Sequence, residues 1–399
     1  MHPTKIIKST KSKSLEGRTI VMGITGGIGA VKCIELAREL IRQGAEVHAV
    51  MSKEARKIIH PNAMHYATGN PVITKLSGAI EHVEFCGGEG KADLLLIAPC
   101  TSNTIGKIAH GIDDTVVTSF ATTMQKEKIL IVPAMHKTMY ENPFLQENLK
   151  HIVENGINFF PPKSAEGIAK FPEIGEIVLE CERILSKGLL KGKKVLIVNG
   201  PTQEDIDEIR VISNRASGKT GIEIAKECYR QKAEVCTVQN LEGVSRKIKN
   251  LKARTGKEMQ ETVLKELENN YDLYITPAAL VDFTVQKKEG KIKSAEGLEL
   301  RLKPGEKLAD LIRKKFPELG IVAFKAEVGV SEKELIESAK KKMKELNASI
   351  VVANDVQKKG LGTEDNEVII VSLKGEKKVS GTKAEIARAL VEEIENAKD

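Results

Sequence analysis

The chain has 399 residues, of which 41% are hydrophobic and 29% charged, a length and composition that favour two folded domains and exclude a disordered chain. No apolar run approaches the roughly 18 residues that cross a bilayer, and residues 1–14 lack the apolar core of a signal peptide, so we expect a cytoplasmic protein without a membrane partner. The net charge of +7 includes lysines interleaved with glutamates, as in 331–346, which is typical of solvated helix faces and predicts no nucleic-acid partner.

The six cysteines contain no CxxC pair, so neither a zinc site nor a disulfide framework is predicted, and reduced thiols are expected. Buried strands are predicted at 18–24, 45–51, 93–98 and 128–132, and helices at 28–43, 101–110 and 137–150. This alternation is that of a parallel α/β sheet. The first half of the chain is therefore predicted to be a layered α/β domain.

Two loops in this half follow buried strands and lead into helices. The first contains Gly26, Gly27 and Ile28, and the second runs over 98–104 with hydroxyl and amide side chains. Helix N-termini with free backbone N–H groups favour phosphate. Glycines in a tight turn and hydroxyls at a helix start are also common without any ligand, so each loop alone is weak evidence. Together they suit the phosphate of flavin mononucleotide (FMN).

The segments 23–28, 51–52, 80–83, 98–105 and 133–135 resemble the flavin-dependent cysteine decarboxylase family. The resemblance implies that a flavodoxin-like domain binds FMN. It places the cofactor on Gly26, Gly27, Ile28, Ser52, Thr101, Ser102, Asn103 and Thr104.

His82 falls on the family's active-site histidine, and a base with a pKa near neutrality suits the proton transfers of oxidative decarboxylation. Without the family, a lone histidine in this context would be interpreted as a structural hydrogen-bonding residue.

The sequence departs from the bacterial family pattern at two places. Where the bacterial members have an asparagine that holds the substrate carboxylate, this chain has His136 after Met135, and both are expected to contact substrate. The bacterial flap cysteine that reprotonates the enethiolate has no counterpart in 167–172. Lys170 and Cys181 are the alternative proton donors, and Lys170 is the one we favour.

A second α/β sheet is predicted from strands at 194–199, 234–239, 273–276, 321–325 and 349–353, followed by a hairpin around 367–379 and a terminal helix. Segment 209–219 combines glycine, hydroxyl, amide and arginine side chains at a helix start, which favours a phosphate or carboxylate ligand. This chemistry alone fits many nucleotide sites.

The segments 200–202, 212–214, 217–221, 278–282, 291–293 and 353–355 are similar to phosphopantothenate–cysteine ligase, in the family's order. The resemblance implies that Lys291 assists phosphoryl transfer, Asn214 holds the acyl-cytidylate, and Arg210 acts in its turnover. It places the cytidine nucleotide near Ala278, Ala279, Asp282, Lys291, Glu306, Lys307, Leu308, Ala309, Phe324 and Lys342. Mg²⁺ is expected with the triphosphate, without a protein metal cage.

The order of decarboxylase before ligase implies a bifunctional enzyme of coenzyme A biosynthesis. Its substrates would be 4'-phosphopantothenate, cysteine and CTP, and phosphopantothenoylcysteine would pass from the ligase to the decarboxylase. The fold class is α/β, with two three-layer Rossmann-like domains, a flavodoxin-like flavin domain and a nucleotide-binding ligase domain. The predicted divisions are a polar extension at 1–16, the flavin domain at 17–160, a flap and linker at 161–190, and the ligase domain at 191–399.

The resemblance also implies a homo-oligomer. Two other functions remain open: a ligase with an impaired flavin domain, and a non-catalytic flavin-binding regulatory subunit. A nicotinamide-dependent oxidoreductase is disfavoured, because an acidic ribose-binding residue would end the second strand, where Met51 and Ser52 stand instead.

Overall fold

The computed structural model describes residues 2–165, 168–281, 283–293, 298–357 and 365–397. The chain forms two compact units, residues 1–186 and residues 187–399. All six cysteines are free and buried.

The first unit contains the strands β1 (Thr19–Ile24), β2 (Glu46–Met51), β3 (Leu94–Cys100), β4 (Ile129–Pro133), β5 (Met135–His136), β6 (Asn158–Phe159), β7 (Lys163–Ala165) and β8 (Ile168–Lys170). Its helices are α1 (Pro3–Ile7), α2 (Cys33–Arg42), α3 (Pro61–Thr68), α4 (Glu81–Cys86), α5 (Ser102–Ala109), α6 (Val116–Thr123), α7 (Lys137–Tyr140), α8 (Pro143–Glu154) and α9 (Ile174–Leu185). Short 3₁₀ turns lie at Ile28–Lys32, Ala55–Lys57 and Lys126–Lys128.

The main sheet of this unit has five parallel strands in the order β2-β1-β3-β4-β6, which is the flavodoxin-like order. Alternate residues of β1 face opposite cores. Ile20 and Met22 pack in the core that contains residues of α2 and α9, whereas Val21 packs in the core that contains residues of α5, α6 and α8. The unit therefore has the predicted three layers, with apolar side chains on both faces of the sheet.

The helix predicted over 137–150 is two helices, α7 and α8, and the prediction of one continuous helix is wrong. Pro143 has no backbone N–H and cannot continue a helix from the preceding turn. Asn142 caps the new helix, because its side-chain oxygen accepts a hydrogen bond from the backbone N–H of Phe144 at 3.0 Å.

The second unit contains β9 (Lys194–Asn199), β10 (Gln203–Asp205), β11 (Val211–Ser213), β12 (Glu234–Gln239), β13 (Lys249–Lys252), β14 (Leu273–Thr276), β15 (Phe283–Thr284), β16 (Lys303–Pro304), β17 (Gly320–Glu327), β18 (Ile350–Asp355), β19 (Asp365–Ser372) and β20 (Gly375–Thr382). Its helices are α10 (Lys219–Arg230), α11 (Gly256–Glu266), α12 (Leu308–Lys315), α13 (Glu332–Leu346) and α14 (Lys383–Asn396), with a 3₁₀ turn at Leu267–Asn269.

Its main sheet has eight strands in the order β13-β12-β9-β14-β17-β18-β19-β20. The first six are parallel in the Rossmann order, and β19 and β20 add the predicted antiparallel hairpin. One face packs against α11, α12 and α13, and the other against α10 and α14. The predicted α/β class is thus confirmed in both units, and the carboxyl ends of the parallel strands are where a ligand would bind.

Candidate active sites

In the first unit, Thr25 joins the loops that follow β1 and β3. Its hydroxyl donates a hydrogen bond to the carbonyl oxygen of Pro99 at 2.7 Å and accepts one from the backbone N–H of Thr101 at 3.0 Å. Because β1 and β3 are neighbouring parallel strands, the two predicted cofactor loops lie side by side at the same edge of the sheet. The structure therefore brings together the loops that begin at Gly26 and Thr101.

The glycines of the first loop have close neighbours. A Cβ atom at Gly26 would lie 2.5 Å from Cβ of Glu54, so only glycine fits beside the loop that follows β2. A Cβ at Gly27 would lie 3.6 Å from the carbonyl oxygen of Ala134. The next residue, Ile28, is 79% exposed. Packing accounts for Gly26, and the exposed Ile28 leaves an apolar surface beside the loop.

The polar side chains at the start of α5 differ in whether they form hydrogen bonds within the protein. Thr101 is the N-cap, and its hydroxyl accepts a hydrogen bond from the N–H of Thr104 at 3.4 Å and lies 3.1 Å from the Thr104 hydroxyl. The half-buried Ser102 and the exposed Asn103 have no side-chain hydrogen bond within the described part of the chain. The side chains of Ser102 and Asn103, with the first backbone N–H groups of α5, suit an anionic group such as a phosphate.

Ser52 lies in the loop after β2, near Gly26. Its hydroxyl accepts a hydrogen bond from the N–H of Ala55 at 3.2 Å, and its own N–H donates to the carbonyl oxygen of Ile24 at 3.0 Å. Ser52 is therefore fixed at the carboxyl edge of the sheet, with its hydroxyl proton available to a ligand.

The flap joins the predicted substrate residues through the small sheet of β5, β7 and β8. Met135 pairs with Ala169, and His136 pairs with Ile168. The exposed His136 has its Nδ1 3.0 Å from the hydroxyl of Thr138. The strand that ends at the half-buried Lys170 thus runs antiparallel to the strand that carries Met135 and His136.

Phe171 fixes the end of this flap to the first cofactor loop. A Cβ at Gly29 would lie 3.0 Å from the Phe171 ring, which is only 5% exposed. Cys181, the alternative proton donor, is fully buried in the core, and burial raises its pKa well above the ordinary value. A buried thiol of this kind is a poor proton donor to a bound substrate, which favours Lys170 over Cys181.

His82 lies in the first turn of α4, and its ring nitrogen Nδ1 is buried without a hydrogen-bond partner among the described residues. An unpaired buried polar atom costs on the order of 1–3 kcal/mol. A ligand group that pairs with Nδ1 would remove this cost. The orphaned nitrogen fits a substrate-binding role, although no recorded hydrogen bond within the described ranges joins His82 to the other predicted flavin-site residues.

In the second unit, Thr202 connects three segments beyond the carboxyl end of β9. Its hydroxyl accepts a hydrogen bond from the N–H of Val281 at 2.9 Å, and its carbonyl oxygen accepts one from the hydroxyl of Ser213 at 2.9 Å. The adjacent Pro201 forms a bridge with Ala279. Segments 211–214 and 278–281 therefore meet beside the sheet, as the predicted site requires.

Asn214 completes this contact. Its side-chain amide nitrogen donates hydrogen bonds to the carbonyl oxygens of Ala279 at 3.1 Å and of Leu280 at 2.9 Å. Ala278, the third predicted residue of the segment, packs against the core of the unit. The predicted Asp282 lies outside the described residues.

Arg210 and the Lys291 segment are brought together by a carboxylate that the sequence did not single out. Arg210 Nη1 donates to Oδ2 of Asp207 at 2.6 Å and to the carbonyl oxygen of Ile292 at 3.2 Å. Lys291, the neighbour of Ile292, is exposed. Hydrogen bonds to the carboxylate, first that from the N–H of Ile209, lower the pKa of Asp207 to about 2, so it is ionised at neutral pH.

The remaining predicted nucleotide residues form two further groups. Lys342 on α13 donates a hydrogen bond to the carbonyl oxygen of Phe324 on β17 at 2.8 Å. Four of the predicted residues lie at the start of α12, namely Glu306, the N-cap Lys307, the buried Leu308 and Ala309. The carboxylate of Glu306 lies 3.5 Å from the side-chain amide nitrogen of Gln260. Within the described chain, no recorded hydrogen bond links either group to Asn214 or Arg210.

Two functional candidates were missed by the sequence analysis. Thr25 could have been found as a hydroxyl directly after a buried strand, and Asp207 as a carboxylate two residues before Ile209, the spacing of an Asx turn. The described residues contain no group of three or more metal-binding side chains, and none of their helices is long and apolar enough to span a bilayer.

Comparison with known proteins covers both units. Residues 8–186 match the Flavoprotein family, and residues 190–397 match the family described as DNA/pantothenate metabolism flavoprotein C-terminal domain. The coenzyme A biosynthesis bifunctional protein CoaBC of Thermococcus kodakarensis is 47% identical over 401 residues, which cover 99% of each chain. Its counterpart in Methanocaldococcus jannaschii is 40% identical and covers 99% of this chain and 97% of its own.

A crystal structure of the C-terminal domain of a coenzyme A biosynthesis bifunctional protein CoaBC is 27% identical and covers 53% of this chain and 97% of that chain, with a TM-score of 0.43. The family assignment depends on the full-length relatives and on the order of the two domain matches. The chain belongs to the family of bifunctional coenzyme A biosynthesis enzymes, in which a flavoprotein decarboxylase domain is joined to a ligase domain.

Proposed function

We propose that the second unit ligates cysteine to 4'-phosphopantothenate with CTP, and that the first unit decarboxylates the resulting phosphopantothenoylcysteine to 4'-phosphopantetheine with FMN. The observation that carries the ligase proposal is the set of hydrogen bonds through Thr202, Asn214 and Asp207, which joins the segments that carry Arg210, Asn214 and Lys291. Full-length similarity to bifunctional relatives supports the pairing of the two activities.

In the first ligase step, the carboxylate of 4'-phosphopantothenate attacks the α-phosphorus of CTP, and pyrophosphate leaves. Negative charge builds on the transferring oxygens, and the exposed ammonium group of Lys291 can stabilise it. Lys342 supplies a second cation for the nucleotide. Mg²⁺ would arrive with the triphosphate, held by phosphate oxygens and water.

In the second ligase step, the amine of cysteine attacks the acyl carbon of the acyl-cytidylate, an amide bond forms, and CMP leaves with the electron pair of the broken bond. Asn214 fixes the carbonyl oxygens of Ala279 and Leu280, and thereby the wall against which the acyl-cytidylate binds. Arg210 presents its guanidinium to the departing phosphate.

For the decarboxylase, Ser102, Asn103 and the N–H groups of α5 would hold the FMN phosphate, and Ser52 and the Gly26–Ile28 loop would contact the rest of the cofactor. When bound, FMN would supply the two-electron oxidation of the thiol-bearing carbon and, after carbon dioxide has left, would give the two electrons back, so that the product is the saturated thiol of 4'-phosphopantetheine. His82 moves the accompanying proton, while Met135 and His136 hold the substrate. Lys170 returns a proton to the enethiolate that remains after carbon dioxide has left.

The family resemblance supports a homo-oligomer. One observation favours a second candidate function, because residues 163–173 contain no cysteine that could reprotonate the enethiolate. If no other residue supplies this proton, the protein is a ligase with an impaired flavin domain. The other alternative, a non-catalytic flavin-binding regulatory subunit, would apply only to a protein that lacks the ligase activity as well.

The ligase assignment is tested with the Lys291→Gln variant. Loss of CTP-dependent ligation, with the visible absorbance of bound flavin unchanged, is the expected result. Ligation at the wild-type rate would contradict the role of Lys291. The matched control is Lys257→Gln, because Lys257 is an exposed lysine on α11 whose side chain is 86% exposed.

A further inference from the structure

A buried carboxylate links the two segments that carry Arg210 and Lys291. The side chain of Asp207 is fully buried, with 0% exposure. Its Oδ1 accepts hydrogen bonds from the backbone N–H groups of Ile209 at 2.8 Å and Arg210 at 2.7 Å. Its Oδ2 accepts from Arg210 Nη1 at 2.6 Å and from the N–H of Ile292 at 3.2 Å.

These four hydrogen bonds divide into two sets with different effects. The two at Oδ1 close an Asx-type turn that shapes the segment leading to Arg210. The two at Oδ2 reach across the site, because Ile292 is distant in sequence and directly follows Lys291. The same Arg210 Nη1 also donates to the carbonyl oxygen of Ile292 at 3.2 Å. Arg210 and Asp207 therefore both bind the backbone of Ile292, and this set of contacts is the link between the two segments.

The arrangement leaves part of Arg210 available. Nη1 is occupied by Asp207 and Ile292, whereas Nε and Nη2 have no recorded hydrogen bond within the described residues, and the side chain is 35% exposed. The carboxylate therefore holds one edge of the guanidinium and leaves another edge to an anionic substrate. A guanidinium whose geometry is fixed in advance binds phosphate with less loss of conformational entropy.

We infer that Asp207 is a positioning residue of the ligase reaction, which holds Arg210 and the Lys291 segment in register without contacting substrate itself. The inference rests on the proposed ligase function and assigns this additional residue to it. Because the carboxylate acts on both segments, its loss disturbs formation of the acyl-cytidylate through Lys291 and its turnover through Arg210.

The test substitution is Asp207→Asn, which has nearly the same shape. The amide oxygen of asparagine can still accept hydrogen bonds from the backbone N–H groups of Ile209 and Arg210. Its NH₂ group, however, would replace Oδ2 and face Arg210 Nη1 and the N–H of Ile292, which are both donors. The matched control is Asp205→Asn, because Asp205 lies two residues earlier and pairs with Nη1 and Nη2 of Arg254 at 2.6 and 2.8 Å. The control removes an ion pair whose hydrogen bonds involve neither Arg210 nor Ile292.

The first readout is the rate of ligation. Asp207→Asn should lower kcat on the order of 10- to 100-fold, since small displacements of catalytic groups have effects of this size. KM for CTP should change much less than kcat, and Asp205→Asn should ligate at about the wild-type rate. In the double variant with Arg210→Gln, the loss should be smaller than the product of the two single losses, because the residues act together.

The second readout is amide hydrogen exchange in the full-length protein, and it does not depend on activity. Exchange in 287–293 should become faster in Asp207→Asn and stay unchanged in Asp205→Asn. Unchanged exchange in Asp207→Asn would overturn the link. Faster exchange with an unchanged kcat, or rate losses that simply multiply in the double variant, would overturn the positioning role. Wild-type protein without ligation would contradict the proposed function, and the exchange result would still decide whether the link exists.

Discussion

The side-chain amide of Asn214 donates a hydrogen bond to the main-chain carbonyl oxygen of Leu280 at 2.9 Å, and a second one to the carbonyl oxygen of Ala279. Since both hydrogens of this NH₂ group are used within the protein, Asn214 shapes the site by holding the 278–281 segment. The residue therefore has a structural task within the ligase site that its chemistry alone would not have indicated.

Asn214→Asp should impair ligation strongly. An aspartate has nearly the same shape, but its carboxylate would face two carbonyl oxygens without donating to either. Loss of two hydrogen bonds and the added repulsion should lower kcat/KM on the order of 10- to 100-fold. Steady-state release of CMP measures the effect. The control is Asn269→Asp, because the side chain of Asn269 donates to the carbonyl oxygen of Glu266 and lies before β14, whereas the 278–281 segment follows that strand. A similar loss in the control would contradict the prediction.

Lys342→Met should weaken CTP binding. The ammonium group that now donates to the carbonyl oxygen of Phe324 would be lost, while the methylene chain would remain. We expect KM for CTP to rise about tenfold, the equivalent of one charge-assisted contact. Lys341→Met on the same helix is the matched control, because the Lys341 side chain is 80% exposed and its ion pair with Glu345 is long, at 4.0 Å. Equal KM values for the two variants would exclude Lys342 from the nucleotide site.

His82→Asn should separate the two activities. Asparagine keeps a polar side chain but cannot act as a base near neutral pH, so release of carbon dioxide should fall by about 100-fold or more. Ligation should be unchanged, because His82 belongs to the first unit. Carbon dioxide release from synthetic phosphopantothenoylcysteine is the measurement. His151→Asn, at an exposed histidine on α8, is the control, and normal decarboxylation by His82→Asn would show that the histidine is dispensable.

Two glycine substitutions should change stability in opposite directions. A Cβ at Gly221 would lie 2.1 Å from Oδ1 of the buried Asn199, so Gly221→Ala should destabilise the second unit by about 1–3 kcal/mol. A Cβ at Gly175 meets no atom within 4 Å, and Gly175→Ala in α9 should stabilise the first unit by about 0.5–1 kcal/mol. Thermal unfolding followed by circular dichroism measures both effects. A stabilised Gly221→Ala variant would contradict the packing around Asn199.

Much of the fold could be predicted from the sequence because parallel strands are nearly continuous apolar runs. Strands β1 to β4 and β9 lie where the runs predicted them, within one or two residues. The short β6 and β13 were not predicted, since two to four residues of mixed polarity carry no clear periodicity. The division between α7 and α8 could have been found at Pro143, a residue that cannot continue a helix.

The predicted site residues were obtained from motifs, and motifs do not show which segments meet. Neither the hydrogen bond from Asn214 to Leu280 nor the link from Asp207 to Ile292 follows from spacing, because each joins segments more than 60 residues apart. The amino-acid sequence does not distinguish a buried aspartate such as Asp207 from an exposed one. Only the tertiary structure shows that four N–H groups surround it.

The measurement that tests the bifunctional account most directly is mass spectrometry of the products formed by the purified protein with 4'-phosphopantothenate, cysteine, CTP and Mg²⁺. We predict 4'-phosphopantetheine together with CMP, pyrophosphate and carbon dioxide, which requires both units to be active and a proton donor other than a flap cysteine. Accumulation of phosphopantothenoylcysteine without 4'-phosphopantetheine would contradict the account and identify a ligase whose flavin domain is impaired.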